Sequence, residues 1–218
     1  CNIYIGVGDM KRNTANKVLD TATSLFAELG FENVTIKQLA QAANSNPAAI
    51  SYYFGGKENL YQEVLKYQFS PALQALQEVA ASYRLTATEQ LLAYVEVVTA
   101  VQHKQPFLAL LWQCELNDHA FIPNRCIIKK YTIQLYHRIV FALEHGISQN
   151  EFIPDLDLYS TAFVLLEMMH APSVPVWLLI EPGLTGPDAR TNYILQAVRH
   201  YLQGISGSVA EGTHKTEN

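Results

Sequence analysis

Residues 39–54, LAQAANSNPAAISYYF, decide the reading of the chain. Ile36, Leu39, Ala40 and Ala43 recur at helical spacing and give a first short helix one apolar face, and Ile50, Tyr53 and Phe54 do the same for a second. Between them, Asn44-Ser45-Asn46-Pro47 supplies a residue tolerant of a left-handed backbone, then an N-cap, then a proline at the first helical position, where its missing N–H costs nothing. A helix that stops and restarts within four residues must turn sharply. Two such helices make a helix-turn-helix, the module that lays its second helix in the DNA major groove. Asn46, Ala48, Ala49, Ser51 and Tyr52 fall off the apolar face of that second helix. They are small or hydrogen-bonding and uncharged, which suits close approach to base edges. Helical corners also occur in domains that never touch DNA, so turn chemistry alone leaves both readings open.

The flanking sequence tips the balance. Asn13 or Thr14 is placed to cap a helix running to about Leu29, with Val18, Ala22, Leu25 and Leu29 on one face and Leu19 and Phe26 beside them. Gly30 stops it, Thr35 caps the first helix of the corner, and Gly55-Gly56-Lys57-Glu58-Asn59-Leu60-Tyr61 closes the corner before a long new helix. Residues 17–61, KVLDTATSLFAELGFENVTIKQLAQAANSNPAAISYYFGGKENLY, resemble the N-terminal DNA-binding domain of the TetR/AcrR family of bacterial transcriptional regulators. The likeness is carried by the LF-x-x-x-G-F-x-x-x-T run, the A-x-x-A spacing, the Tyr53-Phe54 pair and the K-E-x-L close. The wording of residues 46–61 is most similar to the CecR-like subgroup. The chain departs from the family pattern at Asn44, where glycine is usual, at Ser45, where an apolar residue is usual, and at Ser51, where tyrosine is frequent. These differences leave the fold alone but remove the family's usual phosphate-contacting residue at the position of Ser51.

The chain has 218 residues, of which 49% are apolar and only 16% charged. Charged residues usually approach a quarter of a soluble chain, so there is more apolar surface here than a monomer needs to hide, which points to a subunit interface, an internal cavity or both. A net charge of −5 argues against a protein that coats nucleic acid nonspecifically. The sign reverses locally: from Lys11 to Lys57 the basic residues Lys11, Arg12, Lys17, Lys37 and Lys57 outnumber the acidic Asp20, Glu28 and Glu32. A basic head on an acidic body fits a module that meets phosphates at one end. Three cysteines, Cys1, Cys114 and Cys126, make no disulfide framework, and no apolar run is long enough for a membrane span. With no signal peptide read in residues 1–9, the expected location is the cytoplasm.

Beyond the corner, a helix from Lys57 runs toward Ala80 with a kink at Ser70-Pro71, and further helices are expected at about Ala87–His103, Pro106–Asn117, Asn124–His145, Asp157–His170 and Pro187–Gly204. The expected fold class is all-α. Residues 1–12 are a flexible leader, 13–57 a three-helix helix-turn-helix domain, 58–204 a helical ligand-binding and dimerisation domain, and 205–218 a disordered tail. In TetR-like regulators the last two helices pair with their copies in a four-helix dimer interface. Ile194, Ala197, Val198, Tyr201 and Leu202 supply an apolar stripe for it, and residues 172–187, with Trp177 and Leu178, read as an arm on the partner.

Little else in the chain carries chemistry. Cys114, His119, Cys126 and His103 match no tight metal-ligand spacing, nothing supplies an oxyanion hole or an orienting third residue for a nucleophile, and Gly55-Gly56 lacks the downstream residues of a phosphate loop. No catalytic residue, metal or cofactor is therefore expected. The middle helices are rich in aromatics and methionine, most of it core; the remainder reads as an apolar pocket with His103, Phe107, Trp112, Tyr131, Met168 and His170, where the resemblance implies that a small-molecule effector binds. Arg12, Thr35, Lys37, Tyr52 and Lys57 are assigned to phosphates, and Asn46, Ala48 and Ser51 to base edges or thymine methyls. The reading is a ligand-responsive repressor that holds a palindromic double-stranded operator as a homodimer. Two others compete with it: an activator or nucleoid-type binder without a ligand, and a helical small-molecule binding protein or enzyme whose corner is only structural.

Overall fold

A computed structural model describes residues 7–82, 84–117, 126–170 and 187–207. Nine helices are seen among them: α1 (Val7–Leu29), α2 (Ile36–Ala42), α3 (Pro47–Phe54), α4 (Lys57–Ala80), α5 (Ala87–Lys104), α6 (Leu108–Asn117), α7 (Cys126–Ser148), α8 (Leu158–Met169) and α9 (Pro187–Gly204). The all-α expectation holds. α1 starts at Val7, so Asn13 and Thr14 lie inside the helix and neither caps it. α4 runs through Pro71 as one helix. The side chains of Arg12 and Cys126, and all of residues 1–6, His119, the 172–186 arm with Trp177 and Leu178, and the tail from 208 onward, lie outside the described residues.

The chain forms two compact units, Cys1–Ser70 with Gln105–Lys129, and Pro71–Lys104 with Lys130–Asn218. In the first, α1 packs on α2 and α6, and α2 packs on α3. Phe26, Val34, Leu39, Ile50, Leu60 and Val64 are fully buried there, and α6 contributes Leu108, Leu111 and Trp112. Each such aliphatic or aromatic side chain taken out of water stabilises the fold by roughly 1.5–3 kcal/mol before chain entropy is counted.

In the second unit α9 packs on α5 and α8, and α8 on α5. Ile194, Val198 and Leu202 are at most 2% exposed within the single chain. This corrects the sequence expectation for α9. Three residues of the apolar stripe assigned to a subunit interface, Ile194, Val198 and Leu202, are taken up by packing on α5 and α8 inside the chain, whereas Ala197 and Tyr201 are half-buried.

The joint between α7 and α8 is more closely held than its polar composition suggests. The Glu151 carboxylate accepts from the backbone N–H of Ala87 at 2.9 Å and of Thr88 at 3.1 Å, closing the N-terminus of α5 from a distant part of the chain. Phe152 is buried against Gly146, where an added Cβ would overlap the ring. Residues 205–207 are paired back onto this joint through Ile153 N–H to Ile205 O (3.0 Å), Gly207 N–H to Glu151 O (3.0 Å) and an antiparallel bridge of Phe152 with Ser206. Residues 205–207, expected to open a disordered tail, are thus hydrogen-bonded into the second unit.

Candidate nucleic-acid interface

Local chemistry builds the corner. Thr35 has an extended backbone and caps α2: its Oγ1 accepts from Gln38 N–H at 3.2 Å, while Gln38 Oε1 accepts from Thr35 N–H at 2.8 Å. This is a reciprocal capping box, legible in the T-x-x-Q spacing but passed over in the sequence reading. The Thr35 hydroxyl proton is also given to Gln38 Oε1, at 2.7 Å. α2 ends at Ala42 with Ala43 as its C-cap, Asn44 follows with a left-handed φ of 48°, and Asn46 Oδ1 accepts from Ala48 N–H at 2.9 Å to cap α3, with Pro47 at its first turn. Gly55 closes α3 at φ 75°, and Gly56 follows at 131°. Both are backbone states that a side chain resists, so the glycine pair is required here.

These caps fix which face of α3 turns outward. Ile50 is fully buried, whereas Asn46, Ala48, Ser51 and Tyr52 are exposed, Tyr52 at 72%. Ala49 is half-buried, as are Tyr53 and Phe54. Lys37 is exposed on α2, close in sequence to the capped helix N-terminus at Thr35. The structure therefore brings Thr35, Lys37, Asn46, Ala48, Ser51 and Tyr52 to the surface of one small unit. The Arg12 side chain is outside the described residues.

Lys57 is different. Its Nζ donates to Val34 O at 2.8 Å and lies 4.2 Å from the centroid of the Phe31 ring. A cation held by a carbonyl and an aromatic face is turned toward the protein, so Lys57 secures the loop ahead of Thr35 instead of extending to a phosphate. Phe31 also packs on Tyr61 at 5.0 Å, and Tyr61 meets Phe26 edge-on at 4.8 Å. The Tyr61 hydroxyl donates to Glu115 of α6 at 2.5 Å. This run of contacts from α6 to the start of α2 is not apparent from sequence, because Tyr61 and Glu115, which link its two ends, are 54 positions apart.

The six residues expected to line a pocket are divided between the two units. Phe107 is half-buried and Trp112 buried in the first. In the second, His103 is exposed on the last turn of α5, Met168 is half-buried, and Tyr131 and His170 are buried together. Tyr131 Oη and His170 Nε2 are 3.0 Å apart, and His170 Nδ1 is 2.9 Å from Leu166 O. A carbonyl only accepts, so Nδ1 carries the proton and Nε2 accepts from the phenol. Burial above all, with Arg190 nearby, pushes the His170 pKa down to about 4 and keeps the imidazole neutral. Burial also pushes the Tyr131 phenol up. Cys114 is raised by burial and by Glu115, which keeps its thiol protonated, and among the described residues no cluster of three or more His, Cys, Asp or Glu side chains is arranged to hold a metal. No helix among them is long and apolar enough to cross a membrane.

Comparison with known proteins agrees with this geometry. Residues 18–64 match the family model described as bacterial regulatory proteins, tetR family. The probable HTH-type transcriptional regulator YttP of Bacillus subtilis is 29% identical over 179 residues, covering 79% of this chain and 86% of that protein. The HTH-type transcriptional repressor AcnR of Corynebacterium glutamicum is 37% identical over 57 residues, 26% of this chain and 30% of that protein. Among solved structures, the ketosteroid transcriptional regulator KstR2 of Mycobacterium tuberculosis superposes with a TM-score of 0.72 at 20% identity, covering 88% of this chain and 94% of that one, a likeness of fold alone. A helix-turn-helix with an outward, uncharged second helix, matched by the family model over residues 18–64 and carried on an all-helical fold shared with known regulators, is similar to the DNA-binding domain of the tetR family of bacterial regulatory proteins.

Proposed function

We propose that the protein is a ligand-responsive repressor that binds a palindromic operator as a homodimer, each Asn46–Tyr53 helix entering one major groove. The observation that carries this is the face of α3: Asn46, Ala48, Ser51 and Tyr52 are exposed and uncharged around a fully buried Ile50, beside the capped N-terminus of α2 and the exposed Lys37. Small and hydrogen-bonding groups read base edges, while Lys37 and Tyr52, with Thr35 at the helix terminus, hold phosphates. In this reading residues 13–57 read DNA, residues 58–204 bind the effector and dimerise, and the protein works in the cytoplasm. The narrower likeness to CecR-like regulators rests on the wording of residues 46–61.

Dimerisation through the last two helices is supported by what α8 and α9 leave exposed. Tyr159, Phe163 and Val164 of α8 and Tyr193 of α9 are 68%, 57%, 39% and 54% exposed. An open groove of 370 Å³ runs along α9 past Asn192, Leu195, Gln196, Arg199 and His200. A two-fold pairing of this face would set two α3 helices about one helical turn of DNA apart, roughly 34–36 Å, or a multiple of it. An effector acts by binding better to a conformer with the wrong spacing; equal affinity for both states would move nothing. The test is selection of bound duplexes from a random pool by the full chain. Enrichment of a palindrome is the expected result. A folded dimer that enriches no sequence would overturn the reading.

A further inference from the structure

Gln102 lies on the last turn of α5, on the same face as the buried Val95, Val98 and Thr99, and is itself only 6% exposed. Both ends of its carboxamide, Nε2 and Oε1, are buried without a hydrogen-bond partner. Native interiors rarely leave a carboxamide unmet at both ends, because each unpaired group keeps its full desolvation penalty. The other buried polar groups that hold bonds in this unit are self-sufficient. The Thr99 hydroxyl donates to Val95 O at 2.8 Å, and His170 is closed between Tyr131 and Leu166. Gln102 is the one buried side chain described in its unit whose polar atoms have no partner.

We infer that Gln102 is the polar anchor of the effector site, and that the effector is an otherwise apolar molecule bearing a neutral group with an N–H donor and a carbonyl acceptor side by side, as in a carboxamide, lactam or imide. The inference rests on the ligand-responsive reading above. Such a group satisfies both ends of the carboxamide at once, by the paired bonds that two amides make with each other. A carboxylate meets the N–H and leaves Oε1 facing a second acceptor. It would also bring a charge among Val95, Val98 and Val101, and the buried side chains described in this unit include no cation. Arg190, half-buried near His170, is already engaged. An orphaned amide also explains why a glutamine stands where the α5 stripe calls for an apolar residue: stability is given up at a position that recognises something.

The test uses the full chain with hexanamide and hexanoate as matched probes at neutral pH, following the Gln102 side-chain NH₂ resonances, which are identified by their loss in Gln102→Met. Hexanamide should shift them saturably, hexanoate should bind at least tenfold more weakly, and the near-isosteric Gln102→Met should melt higher than the parent and lose the hexanamide response. Equal or tighter binding of hexanoate, or no shift with either probe, overturns the proposal. So does a long-lived water on the Gln102 amide together with a lower melting temperature for Gln102→Met. Saturable hexanamide binding that leaves affinity for the selected operator unchanged would uphold the site and sink the ligand-responsive reading instead.

Discussion

Lys37 and Lys57 carry the same charge in the same small unit but do different work. Lys37 is exposed, whereas the Lys57 ammonium is held by Val34 O and the Phe31 ring. Lys37→Ala should weaken operator binding about equally for all sequences and lower the slope of log K against log salt by about one. Lys57→Ala should leave that slope alone and cost stability, about 1 kcal/mol, as read by denaturant unfolding. A salt slope that fell in both variants would return Lys57 to the phosphate contacts. His170 makes a separate prediction. Its folded pKa, about 4, lies below the ordinary 6.5, so the unfolded chain binds the extra proton first as pH falls. Stability from this group is complete above pH 6.5 and is lost as pH drops toward 4, by up to about 3 kcal/mol at ~1.4 kcal/mol per pKa unit. His170→Gln, which cannot titrate, should flatten the melting temperature across that window.

At the scale of elements, what the sequence discloses depends on how local the chemistry is. The 44–47 turn, the Thr35 cap and the Gly30 and Gly55 stops are each settled within a few residues, and all of them are where the sequence places them. The apolar stripe of α9 was equally legible, but periodicity names a buried face without naming its partner. α5 and α8 take Ile194, Val198 and Leu202, and the face of α9 that carries Tyr193 stays exposed. Glu151 was illegible as a cap because its targets at Ala87 and Thr88 are 64 and 63 positions away. Glu151→Ala should cost about 1–2 kcal/mol, the usual penalty for losing a helix N-terminal partner, seen as a lower denaturation midpoint with an unchanged m-value. An unchanged midpoint would mean that water replaces the carboxylate at the α5 terminus without loss. Gln102 and the Tyr131–His170 pair were hidden for a related reason: sequence records that a polar residue falls on a helix face, and only packing reveals whether it has a partner.

For the whole molecule, the decisive quantity is the oligomeric state. Phe163 is 57% exposed, so Phe163→Asp should leave the fold intact while placing a charge on the proposed subunit face. Sedimentation should then show a shift from dimer to monomer at micromolar concentration, with operator affinity falling by two or more orders of magnitude as the second half-site is lost. A variant that stays dimeric would move the interface away from α8.

The first compact unit is discontinuous along the chain: α6 joins it from beyond an intervening segment, with Leu108 and Leu111 buried and Glu115 bonded to Tyr61. During synthesis, then, residues 1–70 emerge before the helix that packs on α1 and completes their core, a stretch translated more than thirty residues later. A nascent regulator is thereby kept from finishing its DNA-binding part until much of the chain has been made, so a truncated product would be a poor competitor for the operator.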